Sequence, residues 1–172
     1  MAKVAFIVDE MFEDSEFKVP YDRVREAGHE AVIIGLESGK KLEGKQGDEA
    51  ITTEKAIGDV SADDFDALVI PGGYSPDKIR TNADMVGITR TLVKADKPVA
   101  AICHAGWMLA EADVLRNRTV TSWPSIKTDL INAGAEWVDQ EVVEDGNLIT
   151  SRKPDDLEAF TKTLLSQLEQ HS

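Results

Sequence analysis

The sequence contains few of the residues from which disulfides and metal centres are built. Its 172 residues include one cysteine, Cys103, and three histidines. One cysteine excludes a disulfide within the chain and a cysteine-based zinc site, and three scattered histidines do not form a clustered ligand set. A lone thiol suits a reducing compartment, so we expect a cytoplasmic protein without a metal.

Basic residues are also scarce relative to acidic ones. The chain has 19 Lys and Arg against 32 Asp and Glu, which gives a formal net charge of −13 at pH 7. Phosphate backbones and anionic membranes repel such a surface, so we expect neither nucleic acid nor a membrane as a partner. The first apolar run, residues 4–8, is too short for a signal sequence or a membrane span.

Three common functional motifs are missing. There is no glycine-rich phosphate loop and no G-x-G-x-x-G, and the loop after residues 4–8 is acidic where a nucleotide or flavin phosphate would need N–H donors. The G-x-S-x-G elbow of the α/β serine hydrolases is absent as well. We therefore expect no nucleotide or flavin cofactor and no serine nucleophile.

What remains is typical of a soluble globular protein, with 42% hydrophobic and 30% charged residues. We expect one domain over residues 1–172. Apolar runs alternate with helical patterns, which predicts an α/β sandwich with a largely parallel sheet and helices on both faces. The predicted strands are residues 4–8, 31–36, 67–70, 99–102 and 119–121, and the predicted helices are residues 15–27, 84–95, 103–113, 125–133 and 155–170. The predicted hairpins are residues 40–53, and residues 136–143 with 148–151.

The most informative stretch joins an apolar strand to the only cysteine. Residues 97–102 run directly into Cys103, His104, Ala105 and Gly106. A strand that ends at a small-residue turn and starts a helix is how α/β folds aim a nucleophile at a crevice. The N–H groups and dipole at the helix start are expected to favour the thiolate, which is the attacking form. The alternative is an inert core cysteine.

The loops at the carboxyl ends of neighbouring parallel strands gather in one crevice, and three of these loops carry polar groups. They are residues 9–14, 71–74 and 103–104. In the second loop, Gly72 and Gly73 could present N–H groups to an oxyanion and let a substrate approach closely. Pro-Gly-Gly is also an ordinary turn, which is the alternative interpretation.

The first loop supplies carboxyl groups. Glu13 beside a thiolate would feel a like charge and hold a proton, so that it could hydrogen-bond the sulfur. Asp9, Glu10 and Asp14 are expected to be solvated.

A histidine base can be chosen by elimination. His29 precedes the second strand at the edge of the sheet opposite the crevice, and His171 is the penultimate residue and is expected to fray. That leaves His104, although it could be a helix-start residue without a catalytic task. Asp77 lies on a polar loop and is a candidate to orient the imidazole.

Several stretches together resemble the ThiJ/PfpI superfamily, in particular its branch of PfpI-like intracellular proteases and general stress proteins. They are Phe12-Glu13-Asp14, Pro71-Gly72-Gly73, Ala101-Ile102-Cys103-His104, residues 131–135, residues 150–152 and residues 154–157. The resemblance covers essentially the whole chain. It implies a flavodoxin-like, class I glutamine amidotransferase-like three-layer sandwich and a cysteine hydrolase or deglycase tied to stress.

The resemblance also implies roles for particular residues. Cys103 would be the nucleophile, Glu13 its hydrogen-bonding carboxyl and His104 the adjacent imidazole, while Gly72 and the amide after the cysteine would form the oxyanion site. Members of this branch complete the triad with an acid from a neighbouring subunit, and Asp77 occupies that position. A homo-oligomer, at least a dimer, is therefore implied.

This chain departs from the family pattern after the histidine, where Cys-His-Gly-Pro-Gln is common. It has Ala105, Gly106 and Trp107 instead, and Trp107 is expected to change the shape of the pocket. The late His-x-Glu of glutamine amidotransferases is absent, which argues against a glutaminase.

The expected function is cysteine-dependent hydrolysis of glyoxal or methylglyoxal adducts, so the partners would be small carbonyl compounds or glycated proteins and peptides. An intracellular cysteine peptidase would use the same groups on an extended chain. A redox-sensing or chaperone-like stress protein is the alternative from a different class, with the thiol oxidised rather than turned over.

Overall fold

The structure, a computed structural model, describes residues 1–171. The expectation for the His171 side chain lies outside the described residues. The strands are β1 (Lys3–Ile7), β2 (Glu30–Gly35), β3 (Lys41–Glu43), β4 (Ala50–Thr52), β5 (Lys55–Ala56), β6 (Ala67–Ile70), β7 (Val99–Ile102), β8 (Thr119–Val120), β9 (Glu136–Trp137), β10 (Val143–Asp145) and β11 (Leu148–Ser151). The helices are α1 (Asp14–Glu26), α2 (Ser75–Ile79), α3 (Ala83–Lys94), α4 (Gly106–Glu111), α5 (Lys127–Asn132) and α6 (Leu157–His171).

Seven strands form the central sheet in the order β10-β11-β7-β6-β1-β2-β5. Every neighbouring pair is parallel except β10 and β11. The central strands β6 and β7 are apolar at each position and wholly buried, as expected for parallel strands that are covered on both faces.

Strand β1 shows why the sheet carries two helical layers. Successive side chains of a strand point to opposite faces, so Ala5 and Ile7 join one buried cluster and Val4 and Phe6 join the other. Helices α3, α4 and α5 contribute to the first cluster, and α1 and α6 contribute to the second. The predicted α/β fold with a mostly parallel sheet between helices is confirmed.

The insertion at residues 40–53 is an antiparallel hairpin, as predicted, in which β3 pairs with β4. The hairpin predicted around Asp145-Gly146 is confirmed, because β10 pairs antiparallel with β11, but its predicted first strand was wrong for residues 136–137. Residues of β9 pair in parallel with β8, and only β10 pairs with β11. The reason is a distant contact, because the indole N–H of Trp137 donates to Ser122 Oγ at 2.9 Å and anchors β9 beside β8.

Within residues 1–171, none of the helices has the length and apolar character needed to cross a membrane. The loops that leave β1, β6 and β7 lie side by side at the carboxyl end of the sheet, because β6 pairs with both of the other strands. This is the edge at which open α/β sheets bind ligands.

Candidate active site

Cys103 lies on a strained turn at the end of β7. Its backbone has φ 62°, in the left-handed region that residues other than glycine rarely adopt. A 3-10 turn over Cys103–Ala105 leads into α4, and the Cys103 carbonyl oxygen accepts the Trp123 N–H at 3.2 Å. These contacts hold the sulfur at the carboxyl end of the sheet, with only 8% of the residue exposed.

The thiol of Cys103 is not activated in the way the sequence suggested. Burial raises its pKa to about 12, and Glu16 adds to this effect when its carboxyl group is ionised. The N–H groups of His104 and Gly73 hydrogen-bond the sulfur and lower the pKa, but desolvation is the larger effect. The expected low-pKa cysteine is therefore wrong for the free protein, in which the thiol is the favoured form.

Glu16 is the buried carboxyl beside the cysteine. It lies in the first turn of α1 and is 0% exposed. One oxygen, Oε1, accepts the Gly72 N–H at 2.9 Å, while the buried Oε2 has no hydrogen-bond partner among the described residues. Burial raises the pKa of Glu16 to about 8, although the Gly72 N–H opposes the shift. Glu16 is therefore largely protonated at neutral pH.

Sequence reasoning missed Glu16, although a signal was present. Residues 16, 20 and 24 recur at helical spacing and face inward on α1, so Glu16 is an acid in an otherwise apolar stripe with Pro20 and Val24. An acid in that position must hold a proton or find a partner.

Glu13, which the sequence suggested for this role, precedes α1 and lines the same cavity. Its side chain is 15% exposed and pairs with the β3–β4 loop. Lys45 Nζ lies 3.8 Å from Glu13 Oε2, and Gln46 Nε2 donates to Glu13 Oε1 at 3.2 Å. Both acids raise the pKa of Cys103, and Glu16 contributes more than Glu13.

Gly72 is needed because two functional groups pack against it. A Cβ on Gly72 would lie 2.4 Å from Glu16 Oε1 and 2.8 Å from the Cβ of Cys103. The Gly72 N–H is already donated to Glu16, so it is not free for the predicted oxyanion role. Gly73, with φ 82°, donates its N–H to the sulfur, as does His104.

His104 lies next to the sulfur. Its Nδ1 is 3.3 Å from Cys103 Sγ, and its Nε2 is 3.5 Å from Ser125 Oγ. Burial lowers the pKa of the imidazole, and the positive charge of Lys45 lowers it further. A neutral imidazole can accept a proton, which is what a base beside a thiol requires.

Asp77 is not brought to His104 within one chain. It is exposed on α2, beside an open groove of about 660 Å³ that Arg80 and Glu111 also line. In the described part of the chain no hydrogen bond joins Asp77 to His104.

His29 lies at the other end of the sheet, as predicted, where its Nδ1 accepts the Ala2 N–H at 2.9 Å.

Asp14 and Asp9 are buried, so the expectation that they are solvated was wrong. The Asp14 carboxylate accepts three backbone N–H groups of the β3–β4 loop, from Gln46 at 2.7 Å, Asp48 at 2.9 Å and Glu49 at 2.8 Å. This clamp holds the loop over the site and explains the burial of a charge at this position.

The assembled groups surround an open cavity of about 340 Å³. It is lined by Glu13, Glu16, Lys45, Gln46, Gly73, Tyr74, Cys103, His104, Trp123 and Pro154. Among the described residues, no three His, Cys, Asp or Glu side chains are grouped to hold a metal ion.

A cysteine on a strained strand-to-helix turn, with a buried acid and a neutral imidazole beside it, defines a cysteine-nucleophile enzyme on an α/β sandwich. Residues 2–167 match the model of the DJ-1/PfpI family, and the chain belongs to that family. The resemblance to the ThiJ/PfpI superfamily is thereby confirmed.

Two curated relatives and one solved structure show how close the match is. Protein/nucleic acid deglycase 2 of Escherichia coli (strain K12) is 47% identical over 167 residues, which cover 96% of this chain and 97% of the relative. YraA of Bacillus subtilis (strain 168), named as a candidate cysteine protease, is also 47% identical and covers 97% of this chain and 98% of its own.

The solved structure is a two-domain protein of Anabaena variabilis with DJ-1/ThiJ/PfpI-like and ferritin-like domains. It superposes with a TM-score of 0.96 at 40% identity over 98% of this chain. This chain spans 48% of that two-domain protein.

Proposed function

We propose that this protein is a cysteine-dependent deglycase that releases a hydroxy acid from glyoxal or methylglyoxal adducts of proteins or peptides, as part of protection against carbonyl stress. The observation that carries the proposal is the placement of Cys103 Sγ 3.3 Å from a neutral His104 and beside the protonated Glu16. The relative in Escherichia coli that is named a deglycase supports the assignment.

The first step needs a base because the thiol has a high pKa. As Sγ bonds to the adduct carbon, His104 Nδ1 takes the thiol proton and passes it to the amine that leaves. The product is a free amine and a hemithioacetal on Cys103. No charged sulfur has to persist in the buried site.

The second stage converts the hemithioacetal to a thioester and then to the acid. The proton on the sulfur-bearing carbon moves to the neighbouring carbonyl carbon, and the hydroxyl proton of the hemithioacetal moves to the oxygen of that carbonyl, which leaves a thioester beside a new hydroxyl group. Water then cleaves the thioester to release lactate, in the methylglyoxal case, and the free thiol. Negative charge on oxygen would be met by the N–H groups of Gly73 and His104. Glu16, while protonated, can donate from its unpaired Oε2 without adding a like charge to the sulfur.

Asp77 is proposed to orient His104 from a neighbouring subunit. The Nε2 atom of His104 has a long contact to Ser125, and Asp77 is exposed on α2 without a hydrogen bond to His104 among the described residues. In a homo-oligomer, Asp77 of one copy could supply the carboxylate that His104 of the other copy does not receive from its own chain. A single unpaired thiol suits the cytoplasm, where we expect the enzyme to work.

A cysteine peptidase is the second candidate, and the similarity to YraA favours it. It would use the same sulfur and imidazole to form an acyl-enzyme with a peptide carbonyl. Defined cleavage of casein by highly purified wild-type protein, but not by Cys103→Ala, would support it over the deglycase. A redox sensor is less well supported, because a buried thiol with a raised pKa is slow to oxidise.

The test is lactate release from methylglyoxal and from a methylglyoxal-treated peptide, measured for wild type and Cys103→Ala in parallel. We expect release by wild type and a loss of roughly 10³-fold or more in the variant, because no other thiol exists to form the covalent intermediate. A circular dichroism spectrum would confirm that the variant is folded. Turnover retained by Cys103→Ala would overturn the proposal, as would the absence of lactate from either substrate with wild type.

A further inference from the structure

His104 has no strong hydrogen bond that fixes its ring within the chain. Its two nitrogen contacts, 3.3 Å to Cys103 Sγ and 3.5 Å to Ser125 Oγ, are both long. Catalytic imidazoles are usually oriented by a carboxylate or a carbonyl. In residues 1–171 no carboxylate is hydrogen-bonded to His104. Within one chain, contacts other than a carboxylate must therefore set the plane of the ring.

Two indole rings flank the imidazole. The Trp107 ring centre lies 5.2 Å from that of His104 at an interplanar angle of 55°, and the Trp123 ring centre lies 6.3 Å away at 31°. Trp107 follows His104 by three residues, so the two side chains share one side of the turn into α4. The shorter contact belongs to Trp107.

Trp107 is itself fixed from two directions. Its indole N–H donates to Asp129 Oδ2 of α5 at 2.9 Å, and the Arg80 guanidinium lies 5.2 Å from its ring centre. Arg80 is held in turn by Glu111 at 3.1 Å. A ring that is hydrogen-bonded at one end and covered by a cation on its face has little freedom to rotate.

We propose that Trp107 is a positioning residue that holds the His104 imidazole in line with Cys103 Sγ, and that Asp129 fixes Trp107 for this purpose. The inference deepens the proposed function, on which it rests for its kinetic consequence. It also assigns a task to one of the three residues at which this chain departs from the Cys-His-Gly-Pro-Gln pattern.

The test compares Trp107→Leu, Trp107→Phe and Asp129→Asn with wild type. Trp107→Leu removes the aromatic wall, and since a misplaced base costs up to about 10²-fold, we expect kcat to fall roughly 10-fold to 10²-fold with KM within about threefold. Trp107→Phe keeps a ring but loses the hydrogen bond to Asp129, so kcat should fall by less than in Trp107→Leu. Asp129→Asn, which keeps the indole and replaces a charged acceptor by a neutral one, should show the smallest fall. Trp137→Phe is the matched control, because it also loses an indole hydrogen bond, to Ser122.

A spectroscopic measurement on the substrate-free protein separates positioning from general damage. The ¹⁵N chemical shifts of His104 report how its two nitrogens share the proton, and we expect them to change in Trp107→Leu and in Asp129→Asn but not in Trp137→Phe. If Trp107→Leu does not fold, Asp129→Asn decides alone. Unchanged His104 shifts together with wild-type kcat in the folded variants would overturn the proposal. Loss of the proposed function would appear separately, as turnover that survives in Cys103→Ala.

Discussion

At the residue scale, Glu16 links the chemistry of the site to the stability of the fold. An acid whose pKa is raised by folding, here from 4.5 to about 8, keeps in the native state a proton that the unfolded chain has already lost. The contribution of Glu16 to the free energy of unfolding is therefore most favourable below about pH 4.5, and it declines as the pH rises to about 8.

The variant Glu16→Gln should remove this pH dependence, because the amide keeps the shape and cannot ionise. Relative to the variant, wild type should lose on the order of 3 kcal/mol of unfolding free energy between pH 5 and pH 8. Urea unfolding at three pH values in this range would measure the difference. Parallel stability curves for the two proteins would show that Glu16 is not the buried titrating group.

A second prediction at the residue scale concerns Gly72. Its missing Cβ leaves room for Glu16 and Cys103, so Gly72→Ala should displace one of them, destabilise the protein by about 1–3 kcal/mol and abolish most lactate release. Gly87 is the control, because a Cβ there meets nothing within 4 Å and the residue lies inside α3. Gly87→Ala should stabilise by about 0.5–1 kcal/mol with unchanged activity. Thermal unfolding and lactate assays of the pair check both statements, and equal behaviour of the two variants would contradict them.

At the scale of elements, the loop between β3 and β4 is held by the Asp14 carboxylate together with the backbone bond from the Lys45 N–H to the Phe12 carbonyl at 2.7 Å. Asp14→Asn keeps the shape of the side chain but removes the charge that three loop N–H groups share. Hydrogen bonds to a charged group contribute about 1.5–3 kcal/mol, so we expect hydrogen exchange at Gln46, Asp48 and Glu49 to accelerate at least about 10-fold. Exchange measured by NMR or mass spectrometry gives the result.

Asp22→Asn is the control for the clamp. Among the described residues Asp22 forms an ion pair with Lys18 on the same helix, at 2.8 Å, and its side chain is 40% exposed. The substitution should therefore leave exchange in the loop unchanged and alter stability by no more than about 0.5 kcal/mol. Equal exchange rates in the two variants would mean that the loop is held by other contacts.

Local patterns identified most elements but not all of their pairings. The run at residues 67–70 and the run at residues 99–102 coincide with β6 and β7, because an apolar stretch between turn signals has few alternatives. The pairing of β9 with β8 depends on the contact from Trp137 to Ser122, which no local pattern contains.

The residues of the candidate site also divide into those that a local stretch of sequence identifies and those that only the tertiary packing identifies. Cys103 and His104 could be proposed from the sequence because the strand, the turn and the chemistry all lie in one stretch. The burial of Asp14 and Glu16 depends instead on what α1 packs against, and a carboxylate in a loop or a first helical turn ordinarily stays in water. Their roles became visible only from the packing.

At the scale of the whole molecule, the site is proposed to need a second subunit. If Asp77 acts between subunits, Asp77→Asn and Cys103→Ala should each be nearly inactive alone. Coexpressed in equal amounts, they should regain about a quarter of wild-type lactate release, since in a symmetric dimer half the assemblies are mixed and each mixed assembly has one complete site.

Native mass spectrometry would verify that mixed assemblies form. No recovery in a preparation that contains them would contradict a role for Asp77 between subunits, and wild-type activity of Asp77→Asn alone would contradict any role. The single domain over residues 1–172 and the subunit count stay predictions at this scale.

The loops that carry the reacting groups are joined to one another by their backbones. The Glu13 N–H donates to the Gly72 carbonyl at 3.1 Å, and the Tyr74 N–H donates to the Met11 carbonyl at 2.9 Å. Because these backbone bonds do not depend on side-chain identity, substitutions can accumulate around the two loops without moving them. The loop at residues 44–49 is joined to these loops by the Lys45 N–H, which donates to the Phe12 carbonyl at 2.7 Å, while the side chains of Lys45 and Gln46 contact Glu13 and line the cavity. Over evolutionary time such a molecule can acquire new substrates through changes at Lys45 and Gln46, while the backbone that positions the candidate site residues stays the same.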